Sequence, residues 1–211
     1  MKNIFVFLFI VILFSCGNGE IKTQYEDYKA ALKKDQDNLQ LHYDYLKFLF
    51  LDAKYYDETL SYYEENMSLF RDSSESNSIY GAALCAKGGE TEKIEEKLTL
   101  LKKGMLVLDD LVENARDFYP YVWRIQTYSK FPEVMNVRSI IEADIEQVYK
   151  NYEMPLDAHA YVLDAQLNVA KEYGDNNLLN ITVDQIRDTL PQDRQGSLLE
   201  KVKEIRKVLG R

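Results

Sequence analysis

The chain has 211 residues, with 46% hydrophobic and 29% charged residues, which is enough apolar material for one packed domain and too much for a disordered tail. Lys+Arg 26 against Asp+Glu 35 gives a net charge of -9, the wrong electrostatic footprint for a protein that grips phosphate backbones, so nucleic acid is excluded as the expected partner. Two His, two Cys and nine Gly leave little for metal sites, nucleophilic triads or phosphate loops, and no cofactor is expected.

The first element is a leader. Met1-Lys2-Asn3 precedes an apolar run from Ile4 to Phe14, which fits a signal-peptide core and is shorter than the ~20 residues a spanning helix needs. Leu13-Phe14-Ser15-Cys16 resembles the lipobox of bacterial lipoproteins. The resemblance implies a signal peptide over 1–15 and cleavage before Cys16. It also implies lipid on Cys16 and an envelope location outside the cytoplasm, with two or more acyl chains making attachment stable. Residues 16–21 are expected to be a lipidated polar tether and 22–211 the folded domain. After processing, 25 basic and 35 acidic side chains remain, so an anionic body is held near the membrane without lying on anionic lipid. Cys85 is then the sole thiol, and its small neighbours Gly81 to Ala86 point to a packing role.

Beyond Glu20 the apolar spacing is helical. Tyr56, Leu60, Tyr63, Met67 and Phe70 form one stripe, and Ile94, Leu98, Leu101, Met105, Leu108 and Val112 another. Ten helices are predicted, at about 22–34, 38–53, 56–71, 76–88, 90–115, 118–130, 135–152, 156–173, 177–190 and 195–209. Asp37-Asn38 and Asp157 are expected as N-caps, Gly88-Gly89 and Gly174 as left-handed exits, Pro132 and Pro191 as stops, and Pro155 in a first turn. Hairpins begin near 38, 76, 118 and 156, a period of about 40 residues that suggests a repeat.

Residues 40–71 carry Tyr43, Leu46 and Phe50, then Tyr56-Asp57-Glu58 with Thr59 and Tyr63, and so resemble a degenerate tetratricopeptide repeat (TPR). Lys47 and Lys54 stand where that repeat favours glycine, Asn66 where it favours a small apolar residue, and Arg71 where its closing proline belongs. Residues 80–146 carry Gly81-Ala82, Lys102-Lys103-Gly104, Leu108-Asp109-Asp110-Leu111-Val112, Arg124 and Ala143-Asp144, and look like a family of uncharacterised TPR-like bacterial proteins. The implied fold is all-α, a right-handed solenoid of about four helical hairpins with capping helices. Gly81 and Gly104 are expected where neighbouring helices approach closely.

No catalytic constellation is found. His42 and His159 lack partners at metal-ligand spacing, and adjacent carboxylates such as Glu64-Glu65 diverge on a helix, so the chain is expected to be neither a metalloprotein nor an enzyme. Asp109, Arg124 and Asp144 come from three consecutive predicted helices. They are read first as an inter-repeat brace, with Arg124 receiving a ligand carboxylate as the sharper alternative. The second helix is apolar nearly all round, and half of the 16 tyrosines lie between Tyr25 and Tyr63. Either the first helix covers that surface as a cap, or it forms a groove presenting Tyr43, Phe48 and Leu51. The expected function is recognition of another envelope protein or an extended peptide as a scaffold or adaptor. The alternative is solute handling: helical-repeat lipoproteins similar to this one are accessory components of tripartite ATP-independent periplasmic transporters.

Overall fold

A computed structural model describes residues 18–210, and within them every regular element is helical. The expected leader over 1–15 and Cys16 lie outside the described residues. The helices are α1 (Asn18–Lys34), α2 (Leu39–Leu51), α3 (Tyr56–Glu65), α4 (Met67–Phe70), α5 (Ser74–Glu90), α6 (Ile94–Glu113), α7 (Tyr119–Tyr128), α8 (Arg138–Asn151), α9 (Leu156–Glu172), α10 (Asn176–Thr189) and α11 (Gln192–Val208), with a 3-10 turn at Glu133–Met135. No helix among the described residues is long and apolar enough to cross a membrane.

The helix starts follow from short polar side chains. Asn38 accepts from the Leu41 amide, Ser73 from Ser76 and Asp175 from Leu178, each at about 3 Å, satisfying donors that the first turn leaves unpaired. Asp157 does not cap: Pro155 occupies the N-cap of α9, which also moves that proline out of the first turn, and Asp157 instead pairs with Arg194. Helix α1 already begins at Asn18, within the stretch 16–21 expected as a tether, with the Thr23 hydroxyl bonded to the Gly19 carbonyl.

Three other boundaries are corrected. The helix expected over 56–71 breaks at Asn66, whose amide donates back to the Tyr62 carbonyl and ends the ladder of α3. Gly88 and Gly89 lie inside α5 and do not end it. A Cβ on Gly88 would meet Leu101 and the Lys97 carbonyl at 3.1–3.2 Å, so the small residue there serves close packing on α6. Gly174, at φ +61, does make the left-handed exit from α9. Lys54 also sits in the left-handed region, at φ 56, in the turn that ends α2.

Consecutive helices pair as α2 with α3, α5 with α6, α7 with α8 and α9 with α10, and the first members touch one another in the order α2, α5, α7, α9. The largest interface is α5 against α6. It is drawn together by small residues: a Cβ on Gly104 would lie 2.5 Å from the Cys85 sulfur and 2.6 Å from the Gly81 carbonyl. The α6 stripe is accordingly buried only along the side that meets α5 and α7, with Leu108 fully covered, whereas Ile94 and Leu98 stay exposed. Cys85 is buried in this seam, and burial first, then Asp109, pushes its thiol up to about 12, as befits a packing residue.

The apolar interior forms three clusters. The main one runs from α2 through α9 and holds Phe50, Phe70, Leu108, Trp123 and Ile125. A second joins α9, α10 and α11 around Leu163, Leu179, Ile186 and Val202. The third is aromatic: Tyr45, Phe48 and Leu49 of α2 are covered by Ile21, Tyr25, Tyr28 and Leu32, which recur on one face of α1.

Candidate functional site

The cap covers part of the surface expected as a groove. Phe48 is 2% exposed, with the Tyr28 ring 5.2 Å from its own, so the expectation that Phe48 meets a partner is corrected: α1 already occupies that face. Tyr43 is half-buried with its ring 5.7 Å from Phe70, and Leu51 packs on the main core. Neither stands free on an open groove. His42, beneath the same region, is held by its tautomer. Its Nε2 faces the Gln36 carbonyl at 2.9 Å and must donate, so Nδ1 accepts from the Tyr62 hydroxyl at 2.5 Å in the neutral ring.

Asp109, Arg124 and Asp144 are brought together from α6, α7 and α8. The Arg124 Nε and Nη2 groups donate to the two oxygens of Asp144 at 2.8 and 2.7 Å, and Nη1 donates to Asp109 at 2.9 Å. The Tyr128 hydroxyl, one turn beyond Arg124 on α7, adds a second bond to Asp109 at 2.7 Å. Tyr128 escaped the sequence reading, although its spacing of four from Arg124 places it on the same helix face. Asp144 is 3% exposed, and burial pushes its carboxyl above the usual carboxylate range although Arg124 pulls it down.

This cluster floors an open cleft of about 430 Å³ that also includes Glu113 and Ser139. Three carboxylates face one guanidinium there, and three of the five guanidinium donors are already committed. A carboxylate arriving from solvent would meet net negative charge. The geometry is that of a brace locking α6, α7 and α8, with little left for an anionic ligand.

A second polar face draws on all four first helices. Lys47 of α2 pairs with Glu75 of α5 at 2.9 Å, and beside them lie Tyr119 of α7 and Tyr161 of α9. The Tyr161 ring is 6.1 Å from Trp123, which in turn is 5.5 Å from Phe50, so the half-buried tyrosine rests on a buried aromatic row. Burial pushes the Tyr161 hydroxyl up, and the net shift of Lys47 is also upward, because Glu75 outweighs burial. The sequence did not single out Lys47, Glu75, Tyr119 or Tyr161 as a set, since only helix packing brings them together.

Among the described residues, no three His, Cys, Asp or Glu side chains are grouped as metal ligands. No family model, curated protein or solved structure matches the chain.

Proposed function

We propose that this chain is a lipid-anchored protein of a bacterial envelope that works outside the cytoplasm by binding a protein partner or extended peptide, as a scaffold or adaptor without chemistry of its own. In this reading its helical pairs form a right-handed, TPR-like solenoid of about four hairpins, capped by α1 at one end and α11 at the other. Like repeats of that kind, it would present its first helices to the partner.

The observation that carries the reading is the face shared by α2, α5, α7 and α9. Lys47, Glu75, Tyr119 and Tyr161 offer tyrosine area with polar tips beside a charged pair, the chemistry that protein interfaces favour at their centres. A solute-handling accessory would call for an enclosed apolar cavity, whereas two clefts among the described residues, the one over Arg124 of about 430 Å³ and another between Lys54 and Glu90 of about 280 Å³, are open and lined largely by charged residues.

Two measurements test it. A photo-crosslinking amino acid placed at Tyr161 in the full chain, expressed in a bacterial envelope, should yield one or two discrete adducts. The same probe at exposed Asp184 should yield none, and Lys47→Glu should reduce the Tyr161 adducts by about tenfold, the effect of removing a central charged contact. Equal labelling at both positions, or a bound small molecule in native mass spectrometry with no adduct, would remove the scaffold reading. For the anchor, Cys16→Ser should abolish incorporation of labelled palmitate and leave the leader uncleaved. Undiminished labelling would disprove attachment at Cys16.

A further inference from the structure

Helix α6 is the second member of its pair, and its close contacts are with α5 and α7. Ile94 is 64% exposed and Leu98 58%, and the row they begin continues through half-buried Leu101 and Met105. With exposed Leu106, α6 leaves more large apolar side chains in solvent than any other helix among the described residues. A single exposed leucine needs no explanation, whereas a row of apolar residues along one helix face does. The steps from 94 to 98, 101 and 105 are four, three and four residues. They are the steps of a heptad seam, with Ile94 and Leu101 at d and Leu98 and Met105 at a.

The charges beside this row have a direction. In the same register Glu95 and Lys102 both occupy e, one heptad apart, and both are exposed. Nearby ion pairs join Asp57 to Lys87 and Asp109 to Arg124, and leave Glu95 and Lys102 free among the described residues. The g flank turns inward: a Cβ on Gly104 would strike α5, and the Lys97 carbonyl lies close to Gly88. A second helix therefore approaches over the a, d and e positions, and antiparallel pairing brings e against e. Turning α6 about a two-fold axis between Leu98 and Leu101 sets Ile94 over Met105 of the second copy and Leu98 over its Leu101. The same rotation brings Glu95 of each copy near Lys102 of the other. Parallel pairing would instead set g against e, Lys97 against Lys102, and oppose like charges.

We propose that α6 is a self-association surface, on which two copies of this chain pair antiparallel along Ile94, Leu98, Leu101 and Met105. The occupant is a second copy because the surface carries both halves of its own complement: an apolar row that matches itself on reversal, and a carboxylate and an ammonium that exchange places. That is the isologous contact of a two-fold dimer. Removing the row from water drives the pairing, and Glu95 with Lys102 sets its orientation. The seam runs over about 16 Å of helix. It buries less than the roughly 800 Å² per partner of a standard interface, so the dimer is reversible. A contact through α6 leaves the face of α2, α5, α7 and α9 open, so it stands or falls separately from the scaffold reading.

The test is sedimentation equilibrium of the full chain in nonionic detergent, with micelles in large excess over protein so that two copies do not share one by chance. A reversible equilibrium of monomer and dimer in the micromolar range is expected. Leu98→Glu, at an exposed position and with an unchanged circular dichroism spectrum, should weaken it by about tenfold or more. Val134→Glu, more exposed still but in the 3-10 turn after α7, should leave it unaltered. Glu95→Lys and Lys102→Glu each place like charges together twice, and each should weaken pairing several-fold. An equimolar mixture of those two variants should pair as strongly as the parent, and so should the double variant Glu95→Lys, Lys102→Glu. A monomer throughout the micromolar range, an open series of oligomers, or equal weakening by Val134→Glu would overturn the proposal. So would charge reversals that neither the mixture nor the double variant restores.

Discussion

Replacing Gly104 by alanine is expected to destabilise the protein by about 2–3 kcal/mol or more, although alanine is the better helix former by about 1 kcal/mol. The methyl group would meet the Cys85 sulfur at 2.5 Å, the Gly81 carbonyl at 2.6 Å and the Cys85 amide nitrogen at 2.9 Å. Two of those atoms are backbone of α5, so relief requires α5 and α6 to separate, and Leu108 and Cys85 would lose contact across the largest interface of the fold. Gly196→Ala supplies the control. It lies inside α11 with nothing within 4 Å of the added Cβ, and should stabilise by about 0.5–1 kcal/mol. Urea unfolding of both variants decides the matter, and a Gly104→Ala midpoint equal to the parent's would show that α5 and α6 can yield without cost.

Arg124→Met should cost about 3–5 kcal/mol at neutral pH, the range for breaking a buried ion pair from one side. The effect comes mainly from Asp144, whose side chain is 5% exposed and would be left with no cation, and only in small part from the more exposed Asp109. The sign with pH follows from Asp144. Its folded pKa is already raised by burial, so folding favours its protonated form: that contribution to stability is fully present below the unfolded value, about 3.9, and is lost as pH rises through the folded pKa. Removing Arg124 takes away the groups that lower that pKa and widens the window upward. The deficit of Arg124→Met relative to the parent should therefore be largest near pH 7 and shrink toward pH 4. Arg124→Met, Asp144→Asn should recover much of the loss. A deficit independent of pH, unfolding measured from pH 4 to 7, would show that lost packing and not the stranded carboxylate is responsible.

These two positions also separate what was readable in the chain from what was not. Gly104 and Gly81 were readable as close-approach positions because a glycine inside an amphipathic helix needs a reason. Asp109, Arg124 and Asp144 were readable as a set because each falls on a neighbouring helix, and an arginine beside Trp123 needs a counter-charge. Tyr128 was missed although one helical turn connects it to Arg124. The reversal at Gly88-Gly89 has a similar origin. Paired glycines signal a helix end by local conformation, but the approach of Leu101 used the absence of a Cβ for packing and let α5 continue to Glu90.

Local and periodic signals were enough to determine the all-helical class, nearly every helix and the caps at Asn38 and Gly174, because they act within a turn or two of the chain. Which apolar face remains open is a different kind of question. The second helix reads as greasy on all sides, and Phe48 looks as available as Tyr43 until α1 is laid over it. The gathering of Lys47, Glu75, Tyr119 and Tyr161 joins residues up to 114 positions apart, from Lys47 to Tyr161. Spacing along the chain carries no information at that range. Only the stacking of the helix pairs decided it, because packing contacts fix which ends meet and which charges must share a face.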